Sequence, residues 1–138
     1  MSGYITNELY SFKKYHKNIY NIYFHIVCGI IFMTSFFLMF RNHSLIIQIL
    51  YFLLLFITLN KIEITIVVFV IIFSMTYFLK TFNLSFSSLI IIFIIFYFLP
   101  DLSHYIYNEP TVLKLSDITI LDILINIFYL LPFSLYSL

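Results

Sequence analysis

Charged side chains are scarce in this sequence, at 9% of 138 residues, against about 25% in an ordinary soluble domain whose surface faces water. With 63% hydrophobic and 22% aromatic residues, too few polar groups remain to cover a globule. A bilayer removes that difficulty by solvating apolar surface directly. The net charge of +1 gives no footing for nucleic-acid binding or for a polybasic lipid anchor, so no nucleic-acid partner is expected. Glycine is limited to Gly3 and Gly29. That excludes glycine-rich phosphate loops, the Gly-x-Ser-x-Gly elbow of hydrolases and the paired breaks of discontinuous transporter helices. The single cysteine, Cys28, can form no internal disulfide and reads as packing within an apolar run. The first 20 residues hold no short apolar stretch ahead of a small-residue cleavage site, so no secretory signal is expected.

What is present is a series of apolar runs separated by short polar breaks. Residues 1–17 are polar, with Tyr4, Ile5, Leu9 and Phe12 at roughly helical spacing, which predicts a short amphipathic helix on the membrane surface. Spans are predicted over about 22–40, 45–59, 64–79 and 86–99, the last stopped by Pro100-Asp101. A polar loop follows from Asp101 to Asp117. A final apolar run over 118–138 is interrupted by Asp122, Asn126 and Pro132, and either crosses or dips in and returns, with a slight lean to crossing. The expected class is therefore all-α: one domain, a polytopic membrane bundle of four or five short transmembrane helices preceded by an amphipathic surface helix. Sixteen residues span about 24 Å, less than the ~30 Å of an average hydrocarbon core. That mismatch is mildest in the thin membrane of the endoplasmic reticulum. Lys13, Lys14, Lys17, Lys61 and Lys114 would share one side and only Arg41 and Lys80 the other, which favours a cytosolic N-terminus.

Crossing parity sorts the histidines. Four crossings separate His25 from His104, so His16, His25 and His104 share one face and His43 lies on the other. Ionisable residues near a membrane interior are costly and often functional, and three converging imidazoles suit iron, zinc or copper. The alternative is three satisfied interfacial polar groups with no ligand. On one straight helix His16 and His25 would stand about 180° apart and ~13.5 Å along the axis, unable to share a metal. A metal site therefore requires a chain break between them, and Asn18 and Asn21 are suitable capping residues. The expected break has the surface helix ending near Lys17 and the first span starting near Asn21.

The stretch Tyr15-His16-Lys17-Asn18-Ile19-Tyr20-Asn21-Ile22-Tyr23-Phe24-His25 reads Y-H-x-N-x-x-N-x-x-x-H. Placed just before a first span, it resembles the N-terminal signature of the yeast 2-hydroxy-palmitic acid dioxygenase family, small membrane proteins mostly resident in the endoplasmic reticulum. That family's second motif, G-H-x-x-x-E followed by Pro-Ala-Leu, resembles Ser103-His104-Tyr105-Ile106-Tyr107-Asn108-Glu109-Pro110-Thr111-Val112-Leu113. Here Ser103 stands at the glycine position and Glu109 falls one residue later. Leu131-Pro132-Phe133 is similar to the family's last hydrophobic segment. The resemblance implies an iron(II)-dependent dioxygenase that takes a long-chain 2-hydroxy fatty acid and O2 from among membrane lipids and shortens the chain by one carbon, a step in phytosphingosine degradation. It also implies that His16, His25 and His104 hold Fe(2+), with Glu109 as a fourth ligand or a partner orienting a histidine, and Asn18 and Asn21 as capping or supporting residues. Lys13, Lys14 or Lys17 would attract the substrate carboxylate, or serve only topology and headgroup contact.

Two other readings stand beside it. A non-catalytic membrane scaffold or complex subunit would use the histidines only as polar groups. A transporter or channel would need polar residues along a pore, and Gln48 is the main polar intruder in the first four spans.

Overall fold

The structure, a computed structural model, describes residues 3–59, 61–110 and 119–138, with the side chain of Tyr4 left out. Asn60, the end of the second motif (Thr111-Val112-Leu113), Lys114, Asp117 and Ile118 lie outside the described residues. The chain is all-helical there: α1 (Gly3–Tyr15), α2 (Ile19–Met39), α3 (Ser44–Leu59), α4 (Ile62–Lys80), α5 (Phe86–Ile106) and α6 (Ile120–Ser137). Four of these, α2, α4, α5 and α6, are long and apolar enough to cross a membrane, and α3 is a shorter apolar helix. The chain is an integral membrane protein on this reading. Large apolar side chains such as Ile57, Phe78 and Phe98 stand outward on α3, α4 and α5, an arrangement that lipid stabilises and water does not.

The second helix is the hub. It packs most extensively on α5 and also on α6, α4 and α3. Its buried face runs Asn21, His25, Cys28, Gly29, Phe32 and on to Phe37, the three- and four-residue spacing of one helical stripe. Antiparallel pairing with α5 stacks Phe32 on Phe93 at 4.5 Å between centroids. Against α6 the two backbones approach closely: a Cβ on Gly29 would lie 3.0 Å from Leu131 Cβ, so a larger residue there would have to push Leu131 aside by a few tenths of an ångström.

Two prolines lie inside helices. Pro100 does not end the fourth span, as its position predicts; α5 continues through it to Ile106. In an apolar setting unpaired backbone groups are costly, so the helix resumes after the one hydrogen bond that proline removes. As a result α5 has 21 residues, and α4, which takes in Ile62, Glu63 and Lys80, has 19. With 16 residues α3 remains well short for an average bilayer, while the lengths of α4 and α5 no longer argue for a thin membrane. In α6, Pro132 has no N–H for the Phe128 carbonyl. The Tyr51 hydroxyl donates to that oxygen instead, at 2.8 Å.

The α1 helix covers one end of the bundle. Ile5, Leu9 and Phe12 are buried, and Phe12 meets Phe133 of α6, so its apolar face is turned to protein. The α6 helix starts in a capping box between Thr119 and Asp122, which places Asp122 at a helix start. Its Asp122 end acts electrostatically on Glu8, and at its other end Tyr136 lies under the ammonium groups of Lys13 and Lys61. At the opposite end of the bundle Arg41 of the α2–α3 turn donates to Asn83 Oδ1 and the Leu84 carbonyl of the α4–α5 turn.

Candidate metal centre

The chain breaks at residues 16–18, between α1 and α2, close to where the sequence requires it. Asn18 is the N-cap of α2, its side chain accepting from the Tyr20 N–H at 2.9 Å. Asn21, the other expected cap, sits instead in the first turn, wholly buried. The break folds His16 back onto His25, and the continuation of α5 past Pro100 carries His104 to the same point. Ring centroids lie 4.5 Å apart for His16–His25, 4.5 Å for His16–His104 and 5.1 Å for His25–His104. The three rings offer one ligand atom each within 4.8 Å of one another, a buried group that could hold a metal ion. His43 is exposed in the α2–α3 turn at the far end.

Hydrogen bonds fix the tautomers. His16 Nδ1 lies 2.8 Å from the Phe12 carbonyl, and His25 Nδ1 lies 2.9 Å from the Asn21 carbonyl. A carbonyl can only accept, so both Nδ1 atoms carry the proton and both Nε2 atoms present lone pairs. Those two Nε2 atoms face each other at 3.1 Å. Two acceptors at that distance repel unless a cation lies against both. His104 Nδ1 is buried with no hydrogen-bond partner. Three neutral nitrogens, two oriented by backbone carbonyls as metal-binding histidines are, fit a divalent transition metal. Burial is the largest influence on His16 and pulls its pKa down to about 4, against the Phe12 carbonyl. The ring is therefore neutral and free to ligate at ordinary pH. Phe12 also stacks on the His16 ring at 3.7 Å, shielding one face.

Glu109 does not join the group of three histidines. Its Oε1 accepts from the Lys17 and Asn18 N–H groups at 2.7 and 2.6 Å, and its Oε2 accepts from Asn21 Nδ2 at 2.6 Å. It holds the break and sits at the positive end of the α2 dipole. Burial would raise its pKa, but the bonds from Asn21, Asn18 and Lys17 outweigh that and hold it below the ordinary carboxylate value. Asn108 makes this possible. It adopts a left-handed conformation (φ 53) after α5, and the Glu109 N–H returns to the His104 carbonyl at 2.9 Å, a Schellman-type ending. Asn21 Oδ1 accepts from the Ser103 hydroxyl, which also reaches the Pro100 carbonyl. Thus Asn21 links α2 to the residue beside His104.

A cavity of about 60 Å³ opens beside the rings, room for several water-sized groups. Glu8, Asp101 and Asn126 supply its other polar walls, and Tyr97, Ile125 and Leu130 its apolar ones. Burial and then Asp122 raise the pKa of Glu8. Lys13, Lys14 and Lys17 do not line this cavity; all three are exposed, with Lys13 over Tyr136 and Lys14 over Tyr15. Sequence reasoning missed Phe12, Asn108 and the Glu8–Asp101–Asn126 wall. A phenylalanine four residues before His16 was a usable signal for the first. An asparagine just after an apolar run was one for the second.

The fold and site define an integral membrane helical bundle whose buried three-histidine cluster could hold a metal ion. Compared with known protein families, curated proteins and solved structures, the chain finds no match in any of the three.

Proposed function

We propose that this chain is an iron(II)-dependent dioxygenase of long-chain 2-hydroxy fatty acids, resident in the endoplasmic reticulum with its N-terminus in the cytosol. The observation that carries the reading is the pair of lone-pair-bearing Nε2 atoms facing at 3.1 Å, with His104 beside them. The Y-H-x-N-x-x-N-x-x-x-H stretch adds the family resemblance.

Iron(II) held by His16, His25 and His104 would supply open positions and electrons for dioxygen chemistry. The chain's own residues do the rest. Phe12 and the Asn21 carbonyl orient and shield the imidazoles. The Glu109–Asn21–Ser103 bonds keep the two chain segments in register. Glu8 and Asp101 stand at the cavity wall, where a carboxyl group can take up or return a proton. Tyr97, Ile125 and Leu130 present an apolar side to an acyl chain. Lys13, Lys14 and Lys17, outside the cavity, attract an anionic amphiphile towards this end. Conversion of a 2-hydroxy acid and O2 to an acid one carbon shorter, CO2 and water balances in atoms and in four electrons, with no outside reductant.

The test is metal content and 2-hydroxypalmitate consumption on anaerobically purified protein, beside a His104→Ala variant. Stoichiometric iron with turnover that vanishes in the variant establishes the dioxygenase. Bound zinc or copper without turnover keeps the metal centre and removes this activity. Neither metal nor turnover in folded protein leaves the membrane scaffold.

A further inference from the structure

The histidine cluster is shared between two bodies that meet at a single link of the chain. His16 belongs to α1. Its N–H reaches the Phe12 carbonyl at 3.0 Å, its Nδ1 donates to the same oxygen at 2.8 Å, and its ring stacks on Phe12. The next residue belongs to the bundle. Glu109 accepts from the Lys17 and Asn18 N–H groups and so pins the chain, from Lys17 onward, to the end of α5. A hinge therefore falls between His16 and Lys17. On one side of it α1 brings Glu8, Phe12 and His16 to the cavity, and on the other α2 and α5 hold His25 and His104.

Two forces decide where α1 lies. Its apolar face, Ile5, Leu9 and Phe12, is buried, and among the described residues α1 packs chiefly on α6. In water that burial would hold it down. Beside a bilayer it decides little, because an amphipathic helix lying in the interface buries the same face among lipid tails. Against closure, docking α1 sets His16 Nε2 and His25 Nε2, both bearing lone pairs, at 3.1 Å. A cation between them turns that repulsion into a bond joining α1 to the bundle. We propose that α1 is a lid bolted shut by a divalent metal ion through His16. Without the ion it swings about the His16–Lys17 link onto the membrane surface and opens the cavity to the bilayer interface. This inference rests on the metal centre and not on the dioxygenase reading.

The experiment measures distances across the hinge by electron–electron double resonance between nitroxide labels, on the whole protein in phosphatidylcholine nanodiscs with Cys28→Ala. One pair joins the lid to the far part of α4, Asn7→Cys with Tyr77→Cys. The other joins the bundle side of the hinge to the same point, Tyr20→Cys with Tyr77→Cys. All three positions are exposed. Zinc is the probe, since it takes imidazole ligands and is redox-inert. Asn7 stands about 13.5 Å along α1 from His16, so a swing of the lid is expected to displace the mean Asn7–Tyr77 distance by at least about 8 Å. The expected result is one narrow Asn7–Tyr77 distance with stoichiometric zinc and a displaced, broad one in chelator. The Tyr20–Tyr77 distance stays the same in both. His16→Ala should give the displaced distribution with or without zinc. An Asn7–Tyr77 distance that zinc leaves unchanged, although zinc is bound, overturns the lid and leaves the metal centre standing. Absence of zinc binding removes the lid and the metal centre together. A constant Tyr20–Tyr77 distance reports that each sample is folded, and if His16→Ala does not fold, the intact cluster with and without zinc decides.

Discussion

The two ends of this bundle treat buried polar atoms in opposite ways. At the α1 end, Asn21 has its amide nitrogen on Glu109 and its oxygen on Ser103, and Glu109 itself accepts from three donors. There, among the described residues, the buried side-chain atom without a partner is His104 Nδ1, which belongs to the metal-competent group. At the other end Gln48 Oε1 and Thr76 Oγ1 have no protein partner. In a low-dielectric interior a completed polar network fixes one geometry, while each buried group left without a partner is costly. The difference predicts that equivalent substitutions at the two ends have unlike consequences.

The largest effect is expected for the histidines. His25→Ala removes one of the three imidazoles of the metal-competent cluster, and metal affinity should fall by at least about 100-fold, beyond the loss typical of a supporting residue. His43→Ala, at the other end, should leave it unchanged. Calorimetric titration of the chelator-treated protein with a divalent metal measures both. Equal losses would mean that the ends are not chemically distinct.

Next comes Asn21→Leu, which strands Glu109 Oε2, leaves the Ser103 hydroxyl only the Pro100 carbonyl, and is expected to destabilise the fold by about 2–4 kcal/mol. Unfolding in a mixed-detergent series checks it. A loss below about 1 kcal/mol would show that the α2–α5 link is held by apolar packing such as Phe32 on Phe93.

Acid should weaken the α1 end in two stages. The native pKa of His16 is depressed to about 4, burial being the main cause. The unfolded chain therefore takes up this proton first, starting near the ordinary value of about 6.5. Stability from this group is full above that pH and lost as pH falls towards 4. Glu109 is also depressed, so its contribution is lost at lower pH, beginning below the ordinary carboxylate value. Thermal unfolding of metal-free protein should show a midpoint that declines steadily from pH 7 to 4. A midpoint independent of pH over that range would contradict the burial of His16.

Much of the arrangement is legible in the sequence, for identifiable reasons. Apolar runs between Arg41, Lys61 and Lys80 give the helices because a bilayer admits few other structures. Counting crossings puts three histidines at one end, and the 180° argument demands a break between His16 and His25, expected from near Lys17 to near Asn21 and found at residues 16–18. Pro100 misleads because a rule learned in water, where a broken helix is solvated, does not hold where its backbone must stay paired. Glu109 cannot be placed from spacing, since its direction depends on the left-handed Asn108. The α3–α4 cleft is invisible in sequence: Gln48 and Thr76 are 28 positions apart, and only packing brings them to one cavity.

A smaller effect, about 1 kcal/mol, is expected for Tyr51→Phe, which removes the donor to the carbonyl that Pro132 frees. In a Pro132→Ala background the alanine N–H can serve Phe128, so the same change should cost less. That difference, measured as a double-mutant cycle, tests whether the tyrosine compensates for the proline. No coupling would assign Tyr51 to packing against Phe37 and Phe128.

The smallest effect is the most informative about the comparison. Gln48→Leu removes a buried acceptor that has no protein partner and keeps a side chain of similar length, so no hydrogen bond is broken in exchange. Replacing such a group by an apolar one is close to neutral or mildly stabilising. In lipid-free detergent the change in unfolding free energy should lie within about 0.5 kcal/mol of zero, against the several kcal/mol expected for Asn21→Leu. A large destabilisation in lipid-free detergent would show that Gln48 is already satisfied within the protein, and the contrast between the two ends would fall with it.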